Sequence, residues 1–486
     1  MKWGKEHKLP ELALDSLQAG DGSSNSYGQN ERYTKELPEG VSLPQVYRDI
    51  IRIAWPSFVE LILTQLTSMV DLIMVGKLGP WALTSVGLSV QPKFLMMALF
   101  MSMTVGSTAM VARYKGAGDP KRANTVLRQS LTLTLVLALT ASLVGVLFAK
   151  PLIRFMGAAD AETLAGGTAY LSIQFMGFFF LALTSAITAA LRGVGDSHTA
   201  MVYNLIGNGV NVVFNYLLIY GNFGFPRMGV AGASLATVIG QIMAFILAFH
   251  AVMSGKHYLH LRFTESFRPD WRELGNIFRI GLPAMLEQFI MRAGLIIYAR
   301  TVASLGTVAF ATHQVCMNIQ ALSFMNGNAF AVSATSLMSQ SLGKKRPDMA
   351  QAYSSRTQKV GMLVSSMIAI MFFFWGGHIV ALYSDDPMII EHGAQILKII
   401  AFIQPFQSSQ FIVAGALRGA GDTKATAFIT FCTVFVVRSG VAVLTIKFLH
   451  WGLIGAWVAM AMDQLLRTVM VLHRFHSGKW KLHKIK

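Results

Sequence analysis

The chain alternates long apolar segments with short polar ones. The apolar segments run for about twenty residues or more, which is the length that an α-helix needs to cross a bilayer. They lack the alternation, about ten residues long, of a transmembrane barrel strand. The pattern therefore predicts an all-α polytopic membrane protein with twelve transmembrane helices, at about 48–76, 82–112, 124–149, 167–191, 199–221, 229–253, 273–303, 308–340, 353–381, 391–417, 424–447 and 452–473.

The two halves of this pattern repeat each other. Residues 56–60 recur as 283–287, an offset of 227 (283 − 56), and the loop ALRGVGDS at 190–197 recurs as ALRGAGDT at 416–423. Two homologous halves in an apolar chain predict a transporter made of two pseudo-symmetric six-helix bundles with a path between them. The predicted parts are a disordered cytoplasmic tail rich in Gly, Ser and Asn, a first lobe, a cytoplasmic linker, a second lobe and a basic cytoplasmic tail, at 1–45, 46–253, 254–272, 273–473 and 474–486.

The charge of the chain is placed unevenly along it. The formal net charge is +17, yet only 13% of residues are charged. Lysine and arginine concentrate in the loops after helices 2, 6 and 8 and after the last helix. This positive-inside pattern predicts a multi-pass protein of the cell membrane (the inner or plasma membrane) with both termini cytoplasmic. The basic charge thus orients the chain and contacts anionic membrane lipid, and it does not indicate nucleic-acid binding.

No sequence signature of an enzyme is present. The chain has no phosphate-binding loop, no HExxH zinc motif and no nucleophile elbow, so transport is expected to run on an ion gradient, without a further cofactor. Cys316 and Cys432 each lie in a predicted span, one per half, which does not indicate a disulfide framework or a metal cluster.

The first half carries an unusual polar stripe on two helices. Glu60 and Asp71 are eleven residues apart, so both point the same way from helix 1. Helix 5 carries four asparagines on one face, Asn204, Asn208, Asn211 and Asn215. A carboxylate at the centre of a membrane helix costs about 3 kcal/mol and needs a partner, a cavity or a proton. These residues predict a functional polar pocket, which we favour over interhelical packing alone.

The second half departs from this stripe. Glu287 repeats Glu60, but the position equivalent to Asp71 is Tyr298, and helix 11 has no asparagine ladder. Asp463 has Arg467 four residues later, which favours a structural ion pair, and Arg438 in mid-span is expected to brace an acid or carbonyl groups.

Two further polar residues lie within spans. Lys93 follows Gln91-Pro92 in helix 2, and it either lines a cavity or extends towards the membrane surface. His313 in helix 8 is a lone intramembrane histidine, for which packing is favoured over proton transfer. Both repeated LRGxGD loops follow helices rather than strands, so they are expected to form tight cytoplasmic turns that cap a helix.

Four motifs resemble the multidrug and toxic compound extrusion (MATE) family. They are VDLIMVGKLG at 70–79, NVVFNYLLIYG at 211–221, ATHQ at 311–314 and the two LRGxGD turns. The resemblance covers about residues 45–475. It implies two six-helix lobes that form a V around a central cavity. It also implies a monomer that exports small cationic or amphipathic organic compounds in exchange for Na⁺ or H⁺.

The resemblance also implies roles for single residues. Asp71 falls on the helix-1 carboxylate that the family uses for cation coupling, and Asn211 and Asn215 fall on the helix-5 pair that supports it and would help to hold Na⁺. Asn208 and Glu60 extend the predicted coupling site. The branch typified by NorM has a glutamate in helix 7 and an aspartate in helix 10. Here Glu287 lies one turn from the first, and Gln407 stands at the second.

The candidates for a substrate site or a second-lobe cation site are therefore Glu287, Gln407, Tyr298 and Lys93. The main alternative function is a flippase for a lipid or a lipid-linked oligosaccharide in the same superfamily. Such a flippase should place several cations in its cavity, and the spans hold few. A membrane sensor that transports nothing is less favoured, because no appended soluble domain is present.

Overall fold

The computed structural model describes residues 38, 40–158, 160–262, 264–383 and 385–482. Most of the predicted N-terminal tail lies outside the described residues. Within them the chain forms twelve long helices: α1 Leu43–Gly76, α2 Pro80–Gly116, α3 Pro120–Phe155, α4 Ala161–Gly193, α5 Ser197–Tyr220, α6 Gly229–Met253, α7 Trp271–Ala303, α8 Thr307–Gly343, α9 Pro347–Ala381, α10 Pro387–Gly419, α11 Thr423–Phe448 and α12 Gly452–His476.

These helices match the predicted spans in number and order. Eleven of the twelve in the described part of the chain are long and apolar enough to cross a membrane. The exception is α8, which is 37 residues long but rich in Ser, Asn and Gln. Within α11 the backbone widens into π-helical turns over Phe431–Arg438 and Leu444–Phe448.

The ends of the chain differ from the prediction. Helix α1 begins at Leu43, before the predicted start at 48 and inside the segment assigned to the tail. At the other end, the first part of the predicted basic tail is ordered as a 3₁₀ turn over Lys479–Leu482. Trp480 is buried there and stacks on Phe475, with ring centroids 5.5 Å apart.

Local sequence explains where the helices begin. Proline occupies the first turn of α2, α3, α9 and α10, where the missing N–H costs nothing. Asp160 and Asp196 cap α4 and α5 by accepting from the backbone N–H of the third following residue. The cap at Asp196 confirms the turn predicted for the first LRGxGD loop.

The two lobes are built in the same way. In the first lobe Ser85 and Ser89 of α2 donate to the carbonyl groups of Thr163 and Gly167 on α4. In the second lobe α8 and α10 form an equivalent contact, with Thr335 and Ser339 donating to Gly415 and Gly419. Hydroxyl groups and small residues thus allow paired helices to pack closely in each half.

The lobes meet on the side that carries the basic loops after α2, α6 and α8, which we call the basic side. A Cβ on Gly116 would overlap the carbonyl of Gln340, and a Cβ on Gly343 would overlap the carbonyl of Arg113. Gly116 and Gly343 are repeat partners at the offset of 227, and each contacts the residue three positions before the other. The backbones of α2 and α8 therefore cross on a pseudo-twofold axis.

Polar contacts between the lobes surround this crossing. Tyr114 of α2 donates to both carboxylate oxygens of Glu273 on α7, at 2.8 and 3.0 Å. On the other side of the axis, Tyr353 of α9 donates to Asp49 of α1 at 2.7 Å. Gln340 of α8 donates to the carbonyl of Gly193 at 2.9 Å. The lobes are thus joined at the basic side.

The linker packs against the first lobe. Asn124 of α3 accepts from the backbone N–H of His260 at 2.8 Å. Gln129 of α3 donates to the carbonyl of Arg268 at 2.8 Å and accepts from the backbone N–H of Asp270 at 3.2 Å. The described linker residues on both sides of position 263 therefore pack against α3.

Candidate functional site

Helices α1 and α5 are joined by a ladder of side-chain hydrogen bonds. Asn204 donates to Glu60 at 2.8 Å, Asn208 donates to Thr64 at 2.9 Å, and Asn215 donates to Asp71. Each pair is separated by 144 residues, so the two helices run parallel in constant register. The polar faces predicted on helices 1 and 5 lie against each other.

Asp71 lies near the far end of this ladder, away from the basic side. The structure brings Asn211 and Asn215 to its carboxylate. The side-chain amide of Asn211 forms hydrogen bonds with both of its neighbours in one orientation. Its nitrogen then donates to Asp71 Oδ1 at 3.0 Å, and its oxygen accepts from the backbone N–H of Thr237 on α6 at 3.1 Å. Both asparagines are buried, while Asp71 is partly exposed. Two amide donors therefore hold a carboxylate that solvent can still reach.

Tyr170 of α4 packs against the apolar cluster that includes Val75 of α1 and Ile219 of α5. Lys93 of α2 is half-buried. Among the residues that the structure describes, no ion pair joins Lys93 directly to Asp71. Lys93, which the sequence grouped with the candidates for a substrate site or a second-lobe cation site, lies on α2 of the first lobe.

The other predicted first-lobe carboxylate has a different environment. Glu60 is 7% exposed. Its carboxylate lies 2.8 Å from Arg192, the arginine of the first LRGxGD loop. The two groups form an ion pair without the alignment of a hydrogen bond. The second half repeats this contact, because Arg418 of the second loop donates to Glu287 at 3.0 Å. Thr426 also donates to Glu287, at 2.9 Å. Both glutamates are therefore neutralised by arginine.

This pairing gives the LRGxGD loops a role in addition to the capped turn that the sequence predicted. Their arginines reach back into the lobe. In the second loop, Asp422 accepts from Arg474 of α12 at 2.7 and 3.2 Å instead of capping α11 with its side chain. The sequence held a signal for the pairing, because the glutamate and the arginine recur together in each half.

The second lobe holds a buried ion cluster. Asp463 lies between Arg438, whose Nε donates at 2.9 Å, and Arg467, whose Nη2 donates at 2.7 Å. All three side chains are at most 2% exposed. The predicted Asp463–Arg467 pair and the bracing role of Arg438 are confirmed. Because Arg438 and Arg467 are both bound to Asp463 inside the lobe, neither is free to bind an anionic lipid headgroup.

The remaining second-lobe candidates lie in the lobe interior. Tyr298 is buried and donates to the carbonyl of Ala456 at 2.8 Å. His313 packs between the rings of Tyr298 and Trp457, with centroids 5.6 and 5.4 Å away, as expected for a packing residue. Gln407 is also buried. In the described residues, no group of three or more His, Cys, Asp or Glu side chains could hold a metal ion.

Of the four carboxylates predicted within the spans, three are therefore bound to arginine. They are Glu60, Glu287 and Asp463. Asp71 pairs with amides instead, and sequence reasoning did not identify Thr237, which contacts Asn211. A single polar residue on a helix gives no periodic signal, so only the packing of α6 against α5 identifies it.

Comparison with known proteins agrees with this architecture. The chain is 28% identical over 439 residues to the probable multidrug resistance protein NorM of Thermotoga maritima, which covers 90% of this chain and 94% of that protein. It is 27% identical to the multidrug resistance protein PmpM of Pseudomonas aeruginosa, covering 81% of this chain and 83% of that protein.

Solved structures share the fold. An outward-facing multidrug resistance MATE family transporter of the MOP superfamily superposes with a TM-score of 0.84 at 22% identity, covering 92% of this chain and all of that one. A MOP superfamily transporter from Pyrococcus furiosus gives a TM-score of 0.83 at the same identity and the same coverage of both chains.

The MatE family model matches the chain twice, at residues 56–217 and 283–444. The two matches are displaced by the offset of 227 that the sequence repeat predicts. Together they cover most of both lobes, including the α1–α5 ladder and the Glu287–Arg418 pair. The chain therefore belongs to the MatE family, a family of multi-pass membrane transporters rather than of enzymes.

Proposed function

We propose that this protein is a secondary active antiporter that exports cationic or amphipathic organic compounds in exchange for Na⁺ or H⁺. Its coupling site is Asp71 with Asn211 and Asn215. Relatives named as multidrug resistance proteins support the substrate class. The protein works as a monomer in the cell membrane, with both termini cytoplasmic, in line with the positive-inside pattern.

One observation carries the coupling role. Asp71 has amide neighbours and partial exposure, whereas the other three intramembrane carboxylates are bound to arginine. An arginine-paired carboxylate in a low-dielectric interior does not exchange its partner readily. A carboxylate held by neutral amides can accept and release a cation, because no fixed charge has to be displaced.

The same two amides suit either coupling ion. Their N–H groups stabilise the bare carboxylate, as the hydrogen bond from Asn215 illustrates. After a half-turn of each amide, its oxygen can join Asp71 in binding Na⁺, which prefers oxygen ligands. Protonation needs no such turn. In both cases the carboxylate changes charge, and a change of charge can shift the packing of α1 against α5.

The test is transport by the purified full-length protein in proteoliposomes. Efflux of the fluorescent cation ethidium is measured under a Na⁺ gradient and then under a pH gradient. We expect one gradient to drive efflux, and Asp71→Asn to remove most of the gradient-driven rate, because a neutral amide carries no negative charge for the coupling cation to neutralise. Asp160→Asn, at an exposed helix cap, is the control and should leave the rate unchanged. A wild-type rate in Asp71→Asn would contradict the proposal.

A further inference from the structure

We propose that the second lobe encloses a cluster of bound water molecules between α8, α10 and α12, held by glutamine side chains and hydroxyl groups. The water joins α8 to the rest of its lobe by hydrogen bonds. The site lies in the interior of the second lobe, so it is independent of the coupling role proposed for Asp71.

Four buried glutamines of the second lobe carry side-chain atoms without a protein partner. Among the residues that the structure describes, neither polar atom of Gln320 on α8 has a hydrogen bond, although this side chain is fully buried. The same is true of Nε2 of Gln404 and Gln407 on α10 and of Oε1 of Gln464 on α12, all at most 3% exposed. Buried polar groups nearly always have a partner, because burial without one is costly. Bound water supplies that partner where protein groups do not.

The contacts between α8 and α10 place three of these glutamines in one layer. Ser323 lies one turn after Gln320 on α8 and donates to Oε1 of Gln404 on α10 at 2.6 Å. Gln407 follows Gln404 by one turn on the same helix. The unpaired amide atoms of the two helices therefore lie around a single hydrogen bond, at Ser323.

Helix α12 adds the fourth glutamine to this layer. Thr468 of α12 donates to the carbonyl of Phe406 on α10 at 2.9 Å, and Gln464 lies one turn before Thr468 on the same face. The acid next to Gln464 is Asp463, which two arginines already bind. The side chains of the layer are thus neutral amides and hydroxyls. They suit water, which can accept from an Nε2 atom and donate to an Oε1 atom.

The first lobe fills the equivalent space with apolar side chains. Ser323 corresponds to Met96 at the offset of 227 (323 − 96). Gln404 corresponds to Phe178 at the offset of 226 (404 − 178) that also relates the two LRGxGD loops. Met96 and Phe178 pack in one apolar cluster, so these two positions meet in both lobes. The second lobe therefore has polar groups where the first lobe is packed with apolar ones.

The layer also accounts for the composition of α8. Of the twelve long helices in the described chain, α8 is the one that is not apolar enough to cross a membrane by its hydropathy. A polar helix face is tolerated at membrane depth when it contacts protein or water instead of lipid. Water bound at Gln320 gives α8 polar partners inside its lobe.

The test uses two sources of hydroxyl radicals on the full-length protein in lipid nanodiscs. X-ray radiolysis makes radicals from bound water in place, whereas photolysis of peroxide makes them in the bulk solvent. Met460 of α12 is the reporter, because it is 1% exposed and lies one turn before Gln464. We expect X-rays to oxidise Met460 and bulk radicals to leave it intact. Met110, also 1% exposed but in an apolar cluster of the first lobe, is the matched control and should resist both sources.

Oxidation of Met460 by neither source overturns the proposal, and oxidation by both overturns the enclosure of the water. A second measurement uses Gln320→Leu, which has a similar volume but no polar atoms. Because the water loses ligands, we expect a lower midpoint of thermal unfolding in detergent and a loss of X-ray oxidation at Met460. In a dry layer the same substitution removes a buried polar group without a partner and raises the midpoint, which overturns the proposal. If Gln320→Leu does not fold, the oxidation of the wild-type protein decides.

Discussion

The two lobes share a frame but differ in their ionisable chemistry. Each lobe pairs a glutamate near its first helix with the arginine of its LRGxGD loop, at 2.8 Å for Glu60–Arg192 and 3.0 Å for Glu287–Arg418. The next acidic position on that helix is Asp71 in the first lobe and Tyr298 in the second. Matched residues thus maintain the architecture, and unmatched residues identify where the lobes perform different tasks.

The partners of these unmatched positions differ as well. Asn211 and Asn215 of α5 approach Asp71, whereas Arg438 of α11 lies over the ring of Tyr298, 5.8 Å from its centroid. A guanidinium is always charged, and here it is bound to Asp463. The second lobe therefore holds a permanent internal cation next to Tyr298, where the first lobe has amides around a carboxylate. This difference favours exchange of a mobile cation in the first lobe.

The largest effect is expected at the crossing of the lobes. Gly116→Ala and Gly343→Ala each place a Cβ against a backbone carbonyl, so α2 and α8 must move apart. We expect both variants to lose most transport and to lengthen the distance between spin labels at the exposed residues Lys121 and Lys345, measured by electron spin resonance. Similar loss in the two variants supports a symmetric frame. A defect in only one variant would show that the two glycines contribute unequally to the contact between the lobes.

Breaking the glutamate–arginine pairs should have the second-largest effect, on the stability of the folded protein. Arg192→Ala and Arg418→Ala leave a buried carboxylate without its cation, so we expect each to destabilise the folded protein by about 3 kcal/mol, the lower end for a buried pair. Thermal unfolding in detergent measures the loss. Adding Glu60→Gln to Arg192→Ala should recover part of the stability. Unequal losses in the two lobes would indicate that one pair has a role beyond structure.

The smallest effects concern the asparagine ladder, and their direction distinguishes the coupling ions. Asn215→Ala removes a hydrogen bond to a carboxylate, which is worth about 2 kcal/mol and hence a change of at least about tenfold. The half-maximal proton concentration should fall if H⁺ is the coupling ion, because the bare carboxylate is less stabilised. The half-maximal Na⁺ concentration should rise if Na⁺ is the ion, because a ligand is lost. Asn208→Ala, which removes a neutral hydrogen bond to Thr64, should change either value less than about threefold.

The sequence predicted the parts of this comparison that depend on periodicity. Hydropathy identified the twelve spans, and helical spacing placed Asp71 and the asparagines on the two faces that meet. The matching Gly116 and Gly343 were visible as a repeat, but their contact was not. A contact between helices depends on how their axes cross, and spacing along one chain does not record that angle.

Other features lay beyond the sequence for similar reasons. The π-helical turns of α11 over Phe431–Arg438 change the register of the helix, and this segment contains no proline or glycine that would mark them. The contacts of the linker residues His260, Arg268 and Asp270 depend on Asn124 and Gln129 of α3, two amides that show no distinguishing pattern. Each of these depends on tertiary packing rather than on local preference.

The glycine crossing has a consequence for how the halves stay together. Contacts in which two equivalent surfaces meet each other across a twofold axis are isologous, the type found in homodimers. In that sense the protein resembles a dimer whose two subunits are covalently joined. The linker, which is bound to α3, gives each lobe an effective concentration near the other in about the millimolar range, as short tethers do. The interface therefore does not have to hold the halves together against free diffusion, as the interface of a homodimer must.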